Sequence, residues 1–342
     1  MKKTLGITAL VTLFLLGVVG WNIFGPTVNV PDKRFFYIKK GSTYNEVKNA
    51  LETQEVLNQT FFFNIIAKQV KYPDNVKAGK YEIKHGMSTV ALVRMLKQGR
   101  QAPVKLVINK LRTKGNLARK IGENFECDSA TAFRFLMSND SLLPYRLDTN
   151  TVMTAVIPNT YLMKWNSGIK NIFEKLRSEQ QRFWNKERLA KAAAKGFSEK
   201  EIYIMASIVE EETNKPEDKK KIASTYINRI NKGMKLEADP TVKYAMRAFG
   251  LKRILYGHLQ FASPYNTYRN KGLPPGPIAT PSITTIDAVL DAPDTDYLFF
   301  VAKPDFNGYS NFATTYAQHL LYAKAYQKAL DSLIIRKQNM RP

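Results

Sequence analysis

The chain has 342 residues, 44% of them hydrophobic, and a formal net charge of +23 at pH 7. This length suits two modest domains plus an appendage, and the strong positive charge indicates an anionic partner: nucleic acid, anionic lipid or a carboxylate-bearing polymer. The basic residues are spread along the chain, with no arginine-rich block and no RNA-binding aromatic motif. The composition therefore argues against a nucleic-acid partner.

Residues that commonly bind metals or form disulfides are scarce. Cys127 is the sole cysteine, so no intramolecular disulfide is possible. The three histidines, His85, His258 and His319, are scattered and do not match the usual zinc ligand sets. The sequence also has neither a phosphate-binding P-loop nor a dinucleotide-binding motif. We therefore expect no metal and no cofactor.

The N-terminal segment is predicted to anchor the chain in a membrane. Residues 4–24 are uncharged and largely apolar, and the next charge is Asp32. A helix of about 20 residues spans the hydrocarbon core, and Trp21 is typical of the membrane interface. No small-residue cleavage site follows, which favours an uncleaved anchor over a cleaved signal peptide. Lys2 and Lys3 would stay cytoplasmic, which puts the rest of the chain outside the cytoplasm.

A strand-turn-helix pattern recurs after an extended connector at residues 26–34. Units that begin at Tyr37 and Tyr81 share an Ile-Lys-x-Gly sequence followed by Ser or Thr, and a looser third unit begins at Leu106. Each unit predicts a short strand, a turn with Gly, a Ser or Thr cap and an amphipathic helix. The alternative is an ordinary small α+β domain in which this similarity is accidental.

The middle of the chain is predicted to be helical. Within residues 128–197, the segment 169–195 predicts one long helix that ends at Gly196. The next helix is expected to begin at Ser198, which can form a capping box with Glu201.

Three consecutive glutamates, residues 210–212, close the apolar stretch of this next helix. At 100° per residue, Met205 lies near the centre of the apolar arc, and Glu212 projects along nearly the same line seven residues later. Glu211 points to the polar side, and Glu210 lies at the edge of the arc. Of the three, only Glu212 is predicted to point along the buried face.

Burial gives Glu212 a possible chemical role. A carboxyl group against an apolar wall keeps its proton to higher pH and can serve as a general acid. Spacing alone leaves two plainer alternatives open. The helix end could fray and leave three solvated charges, or Glu212 could pair with a buried arginine.

The segments after the glutamates contain further polar candidates. A second helix carries an apolar stripe and is expected to end near Gly233, and either Asn228 or Arg229 beside that stripe could line a groove. Asp239 precedes Pro240, which predicts a rigid turn that carries an acid.

The C-terminal third combines a loop, a strand and a helix. Residues 263–282 are rich in Pro and Gly yet carry aromatic and amide side chains, a composition that favours sugar binding over a plain linker. Residues 296–302 predict a buried strand. A closing helix follows, in which His319 is expected to be packed rather than catalytic.

Four segments resemble, in order and spacing, the endolytic murein transglycosylase family, also called MltG or YceG-like. They are ASIVEEET, INRINKGMKLEADPTVKYA, SPYNTYRNKGLPPGPIATPS and DYLFFVA. The likeness covers essentially the whole chain and implies an α+β protein in three parts. These are a cytoplasmic tail with a transmembrane helix at residues 1–25, a small LysM-like α+β module at 26–110 and a mixed α/β catalytic domain at 111–342.

The resemblance also implies an activity and a set of site residues. Members of this family cleave peptidoglycan glycan strands internally and leave 1,6-anhydro-N-acetylmuramyl ends. Their catalytic acid is the second Glu of an E-x-E-T motif, which falls on Glu212, the residue that the helix projection also selects. Substrate-binding positions are implied at Glu210, Asn228, Asp239, Thr241, Asn266, Thr267 and Tyr268.

A location and partners follow from the same resemblance. It implies a single-pass protein of a bacterial inner membrane, with the bulk of the chain outside the cytoplasm. Peptidoglycan glycan strands are the implied substrate, and glycan-polymerising synthases are implied neighbours. No nucleic acid, metal or cofactor is implied.

Two positions depart from the family pattern. Asn159 stands where the family has the acid of a P-D-T-Y segment, and Ser310 stands where it has the His of a G-x-H-x-F-like segment. Both bear on local substrate contacts, whereas the E-x-E-T motif is intact.

Two other function classes compete with the enzyme. A non-catalytic wall-binding scaffold would be expected to lose an acid in E-x-E-T, and both acids are present. A binder of anionic lipid or nucleic acid would lose its affinity steeply as salt rises.

Overall fold

The computed structural model describes residues 2–30 and 34–339. Part of the predicted connector at 26–34 therefore lies outside the described residues. The side chains of Lys2 and Lys3, on which the predicted membrane orientation depends, lie outside them as well.

The chain divides into two compact units. Unit 1 contains the chain through Leu106 together with Ile121–Asp128 and Leu162–Ile169, and unit 2 contains the remainder.

Helices and short strands alternate along the described residues. The helices are α1 (Lys2–Phe24), α2 (Tyr44–Thr53), α3 (Phe61–Gln69), α4 (Thr89–Gln98), α5 (Lys114–Asn124), α6 (Ser129–Leu136), α7 (Asn139–Leu142), α8 (Ile169–Phe183), α9 (Lys186–Ala194), α10 (Glu199–Glu212), α11 (Pro216–Asn231), α12 (Asp239–Ala245), α13 (Tyr256–Leu259), α14 (Ile283–Leu290) and α15 (Tyr316–Asn339). The strands are β1 (Phe35–Ile38), β2 (Gly79–Glu82), β3 (Val104–Ile108), β4 (Asn159–Met163), β5 (Phe299–Ala302) and β6 (Ser310–Ala313).

Helix α1 is the described segment that could cross a membrane. Leu5–Phe24 form 20 helical residues whose length and composition are sufficient for a membrane span. Large apolar side chains on this helix are exposed, and Leu10 is 72% exposed. The predicted anchor is therefore helical, and its insertion in a membrane remains a prediction.

Unit 1 contains the first two predicted strand-turn-helix segments. Strands β1 and β2 pair in antiparallel fashion, with Phe36 opposite Tyr81. Thr43 caps α2 in a capping box with Glu46, and Ser88 caps α4 through its side chain. The Ser/Thr signals therefore position both helices as the sequence predicts.

The third predicted strand-turn-helix segment also forms, as β3 and α5. Strand β3 pairs with β4 and not with the β1–β2 sheet. The repeated pattern therefore describes local structure, whereas strand pairing depends on segments distant in sequence.

Helix α10 runs through the core of unit 2. Every residue of Ile202–Val209 is buried. The Tyr203 hydroxyl donates to the Val156 carbonyl at 2.5 Å, which ties the helix to a neighbouring segment. A helix that is enclosed on all faces holds its last turn against the core, and this last turn carries the three glutamates.

The long helix predicted over 169–195 is wrong, because two helices occupy this range. Helix α8 ends at Phe183, and Asn185 caps α9 by accepting a hydrogen bond from the N–H of Arg188 at 2.9 Å. The break lets both Phe183 and Trp184 enter the core. A single Asn within a strongly helical pattern gave too weak a signal to predict this cap.

The strand predicted over 296–302 is shorter and less buried than expected. Strand β5 begins at Phe299, pairs antiparallel with β6 and is half-buried or exposed along its length. The apolar side chains of Phe299 and Phe300 line a pocket and are not fully buried.

We expect Ser207→Ala to destabilise unit 2. Ser207 is fully buried, and its Oγ accepts a hydrogen bond from the N–H of Ile278 at 3.0 Å. Loss of the acceptor leaves a buried N–H unpaired, which costs about 1–3 kcal/mol in the free energy of unfolding. Urea unfolding of the full chain in detergent measures this change in the free energy of unfolding.

Ser332→Ala is the control, because it removes an exposed hydroxyl on α15, and its urea midpoint should stay near that of wild type. Equal midpoints for the two variants would contradict the prediction.

Candidate active site

The three glutamates at the end of α10 lie in three different environments. Glu210 accepts hydrogen bonds from Lys219 Nζ at 3.0 Å and Ser282 Oγ at 2.9 Å, and Thr285 Oγ1 also donates to it. Burial by itself would raise the pKa of Glu210, but the hydrogen bonds from Thr285, Lys219 and Ser282 outweigh it and hold the pKa below its ordinary value. Glu210 is therefore an ionised carboxylate that joins α10 to α11 and α14.

Glu211 is neutralised by two cations. Lys110 Nζ lies 2.8 Å from one carboxylate oxygen, and Arg112 Nη2 lies 3.1 Å from the other. The Glu211 side chain is only 15% exposed. The helix projection placed Glu211 on the polar side of α10. In the structure, Lys110 and Arg112 supply the counter-charges on that side.

Glu212 has a neutral hydrogen-bond partner. The Tyr226 hydroxyl donates to Glu212 Oε1 at 2.7 Å. Among residues 2–30 and 34–339, no lysine, arginine or histidine forms a salt bridge with Glu212, and no group donates to its Oε2. Helix α10 extends through Glu212, so the end is not frayed. Neither a solvated helix end nor a buried arginine pair describes this residue.

Burial raises the pKa of Glu212 to about 7. The hydrogen bond from Tyr226 acts in the opposite direction, and the nearby charge of Asp239 raises the pKa further. At neutral pH the protonated and ionised forms are therefore both well populated. A carboxyl group in this condition can both give and take a proton.

Glu212 opens into a pocket of about 340 Å³. This volume lies within the range of roughly 300–1,000 Å³ that small-molecule sites occupy. The pocket is lined by Glu212, Arg229, Leu236, Glu237, Asp239, Tyr268, Phe299, Phe300, Tyr316 and His319.

Two of the residues predicted for substrate binding, Asp239 and Tyr268, lie in this pocket with Glu212. The Tyr268 hydroxyl donates to Asp239 Oδ1 at 2.7 Å. Burial and the bond to Asp239 raise the pKa of Tyr268, so its hydroxyl stays protonated and remains a donor. Segments that are distant in sequence thus converge on one site.

Thr241, Asn266 and Thr267 are buried and bonded to the protein. Thr241 and Thr267 share a hydrogen bond at 2.8 Å between their hydroxyls, and the Asn266 side-chain amide donates to the carbonyls of Leu259 and Phe261. These bonds fix the loop and the start of α12 that carry the hydrogen-bonded Asp-Tyr pair. The geometry supports a positioning role, and direct substrate contact stays a prediction.

Asn228 and Glu210 do not line the pocket. The Asn228 side-chain amide donates to the carbonyls of Thr295 and Tyr297, which holds the segment before β5 against α11. Substrate binding by these two residues also stays a prediction.

Seven pocket residues were not among the predicted site residues: Arg229, Leu236, Glu237, Phe299, Phe300, Tyr316 and His319. Spacing on α11 had named Arg229 only as one of two groove candidates. Its guanidinium donates to backbone carbonyls, including that of Leu298 at 2.6 Å. His319 is packed on Phe299, as expected, but it also faces the pocket. No signal in the sequence places residues of the C-terminal helix in the same pocket as Glu212.

The two departures from the family pattern lie outside the pocket lining. Asn159 is exposed at the start of β4, where its side-chain oxygen accepts from the N–H of Thr160 at 2.7 Å. The backbone N–H of Ser310 donates to Asp218 at 2.7 Å. Neither substitution alters the immediate surroundings of Glu212.

A model of the YceG-like family matches residues 36–325, which is most of the chain and includes every residue of the pocket. The chain belongs to the YceG-like family. The resemblance stated from the four sequence segments is confirmed.

Curated relatives of this YceG-like chain are named endolytic murein transglycosylases. The one from Bacillus subtilis is 44% identical over 131 residues, which is 38% of this chain and 35% of the relative. The one from Streptococcus pneumoniae is 29% identical over 301 residues, which is 78% of this chain and 53% of the relative. The chain thus spans about half or less of the length of these relatives.

A solved structure supports the fold. The YceG-like chain matches the crystal structure of a YceG-like protein from Listeria monocytogenes with a TM-score of 0.52 and 28% sequence identity. The match covers 84% of this chain and 98% of the other.

We expect Glu212→Gln to stabilise the protein at alkaline pH. The folded state raises the pKa of Glu212 from 4.5 to about 7, so ionisation opposes folding above this range. At pH 8 the variant should gain roughly 3 kcal/mol in the free energy of unfolding, at 1.36 kcal/mol per pKa unit. Below pH 4.5 both states hold the proton, and the gain should disappear.

Urea unfolding of the full chain in detergent at pH 4 and pH 8 measures this difference. Glu123→Gln, which removes an exposed carboxylate on α5, is the matched control and should show no comparable change with pH. A Glu212→Gln gain that is the same at both pH values would refute the assignment of a raised pKa.

Proposed function

We propose that this YceG-like protein is a membrane-anchored endolytic lytic transglycosylase. It cleaves the bond between N-acetylmuramic acid and N-acetylglucosamine within peptidoglycan strands and leaves 1,6-anhydro-N-acetylmuramyl ends. The names of the curated relatives support this activity. The observation that carries the proposal is Glu212, a carboxyl group with one neutral hydrogen-bond donor and a pKa near 7, at a pocket of about 340 Å³.

In the first step Glu212 acts as a general acid. Tyr226 bonds Oε1, so the proton on Oε2 is free to move to the oxygen between the two sugars. The bond between this oxygen and C1 of the muramyl ring breaks as the proton arrives, through a transition state with oxocarbenium character. The N-acetylglucosamine leaves with a free 4-hydroxyl group.

In the second step the ionised Glu212 acts as a general base. It takes the proton from the C6 hydroxyl of the same muramyl ring while the C6 oxygen bonds to C1. The product is the 1,6-anhydro ring, and Glu212 regains its proton. No water is consumed, because the nucleophile is part of the substrate and its proximity replaces a second carboxylate.

The positions of the other carboxylates support a mechanism with one catalytic acid. Two-carboxylate glycosidases place their acids roughly 5–9.5 Å apart across the scissile bond. Glu210 is bonded to Lys219 and does not line the pocket, so it is poorly placed for such a partnership. Asp239 does line the pocket, and it would be the partner to test if the protein proved to be a hydrolase.

The proposed location and partners follow from charge and from α1. We propose that α1 anchors a single-pass protein in a bacterial inner membrane, with the bulk of the chain outside the cytoplasm. The net charge of +23 suits peptidoglycan, whose stem peptides carry carboxylates. Glycan-polymerising synthases would be its neighbours. We also propose a LysM-like module at 26–110 and a catalytic domain at 111–342. A unit boundary near residue 106 supports this division, whereas Ile121–Asp128 and Leu162–Ile169 belong to unit 1.

We expect Glu212→Gln to abolish cleavage of purified peptidoglycan by the full chain in detergent. Loss of a general acid reduces the rate by about 10²–10⁴. Mass spectrometry of the released fragments should show anhydro-muramyl ends with wild type and with the control Glu123→Gln, and none with Glu212→Gln. Reducing ends would indicate a hydrolase. Retention of glycan without any product would indicate a non-catalytic scaffold.

The pH dependence provides a separate test. The proton on Glu212 is needed for the first step and is lost as the pH rises through about 7. We therefore expect kcat/KM for peptidoglycan cleavage to fall about tenfold per pH unit above this point. A profile that is flat from pH 6 to pH 9 would exclude Glu212 as the acid.

A further inference from the structure

Three aromatic rings contact one another where β5 and α15 line the Glu212 pocket. The ring of Phe299 is stacked on that of His319, with 5.4 Å between centroids and 27° between planes. The centroid of the Tyr316 ring lies 5.7 Å from that of Phe299 and 6.1 Å from that of His319. We call these three residues the aromatic wall. None of them takes part in the proton transfers described above.

The aromatic wall is partly open to solvent. Tyr316 is 61% exposed, and Phe299 and His319 are half-buried. Exposed apolar surface lowers stability by about 25 cal/mol for each Å² that could have been buried. A cluster of such rings beside a pocket is typical of a ligand-binding surface.

Arg229 holds the wall in place. Its guanidinium carbon lies 5.2 Å from the centroid of the Phe299 ring. The same guanidinium donates to the carbonyls of Leu298 and Leu236 and pairs with Glu237 at 3.1 Å. The position of Phe299 is therefore set before any ligand binds, which reduces the entropy lost on binding.

His319 adds a polar group to the wall. Its Nδ1 is buried and has no hydrogen-bond partner among residues 2–30 and 34–339. Burial and the charge of Arg229 lower the pKa of His319, so the imidazole is neutral at pH 7 and carries one proton. A buried N–H without an acceptor is rarer than an acceptor without a donor, which places this proton on Nε2. The wall therefore offers flat rings and one N–H donor.

The charges around the pocket select against an anionic ligand. Glu212, Glu237 and Asp239 line the pocket, and Arg229 is the cation among the lining residues. Because Arg229 is already paired with Glu237, no unpaired cation among the described lining residues is left to bind an anionic group. The proposed reaction places the muramyl ring at Glu212, and that ring carries the acidic stem peptide on its lactyl group. The neighbouring N-acetylglucosamine has no such substituent and suits the wall better.

We propose that the aromatic wall binds an uncharged N-acetylglucosamine ring of the glycan strand. The C–H face of the sugar lies on Phe299 and Tyr316, and the N–H of His319 donates to a hydroxyl or acetamide oxygen. This inference rests on the proposed function, because it names the sugar of the strand that occupies one face of the same pocket.

The test uses the full chain in detergent, with Glu212→Gln present to prevent turnover, and chitotetraose as the probe. Isothermal titration calorimetry gives the affinity of this neutral tetramer of N-acetylglucosamine. We expect Tyr316→Ala to weaken binding about tenfold and Tyr316→Phe to remain within about twofold, since the ring supplies the contact. Tyr326→Ala is the matched control, because Tyr326 lies on the same helix and contacts Phe306 away from the pocket.

The same Tyr316 variants with Glu212 intact give a second readout. Tyr316→Ala should raise the KM for peptidoglycan more than it lowers kcat, and Tyr316→Phe should restore the KM. Three results would contradict the proposal that the aromatic wall binds this sugar. They are no binding of chitotetraose at all, binding by Tyr316→Ala with the affinity of the parent, or an affinity of Tyr316→Phe as low as that of Tyr316→Ala.

The two proposals fail in distinguishable ways. If wild type releases anhydro-muramyl ends while Tyr316→Ala binds chitotetraose normally, the wall fails and the function stands. If wild type releases no such ends while chitotetraose binding still depends on the Tyr316 ring, the function fails and the wall stands as a sugar site.

Discussion

The three carboxylates in the last turn of α10 are half-buried, and each is stabilised by a different set of partners. Glu210 and Glu211 are neutralised by lysines and an arginine, whereas Glu212 receives one hydrogen bond from a tyrosine. A neutral donor orients a carboxyl group without holding it in the ionised form. Glu212 retains its proton near neutral pH because the effect of burial outweighs that of the hydrogen bond from Tyr226.

The pocket around Glu212 is fixed by bonds that lie behind its surface. The hydroxyls of Thr241 and Thr267 and the amide of Asn266 hold the segments that present Asp239 and Tyr268. Residues that resemblance suggested as substrate contacts are thus bonded to the protein itself. Such a frame holds the side chains of the pocket in position before any ligand binds.

The roles that we propose for the two sides of the pocket follow from this arrangement. The α10 side of the pocket supplies the proton, and the aromatic wall supplies flat apolar surface for a sugar ring. A reaction that needs one acid and a substrate-borne nucleophile depends on orientation more than on further catalytic groups. Within residues 2–30 and 34–339 Glu212 forms no salt bridge, which leaves its carboxyl group able to donate a proton, and the proposed role of the wall is to orient the sugar that receives it.

The direction of Glu212 follows from the sequence alone, because a helical period of 3.6 aligns it with Met205 and with the buried face. The caps at Thr43, Ser88 and Ser198 also follow from the sequence, since they depend on neighbours within three residues. Which of the three glutamates form salt bridges depends on the tertiary structure. Lys110 and Arg112 reach Glu211 from about a hundred residues away, and α15 brings His319 to the pocket from the far end of the chain. Charge compensation and pocket lining depend on three-dimensional proximity, and no local periodicity encodes which distant segment will supply the partner.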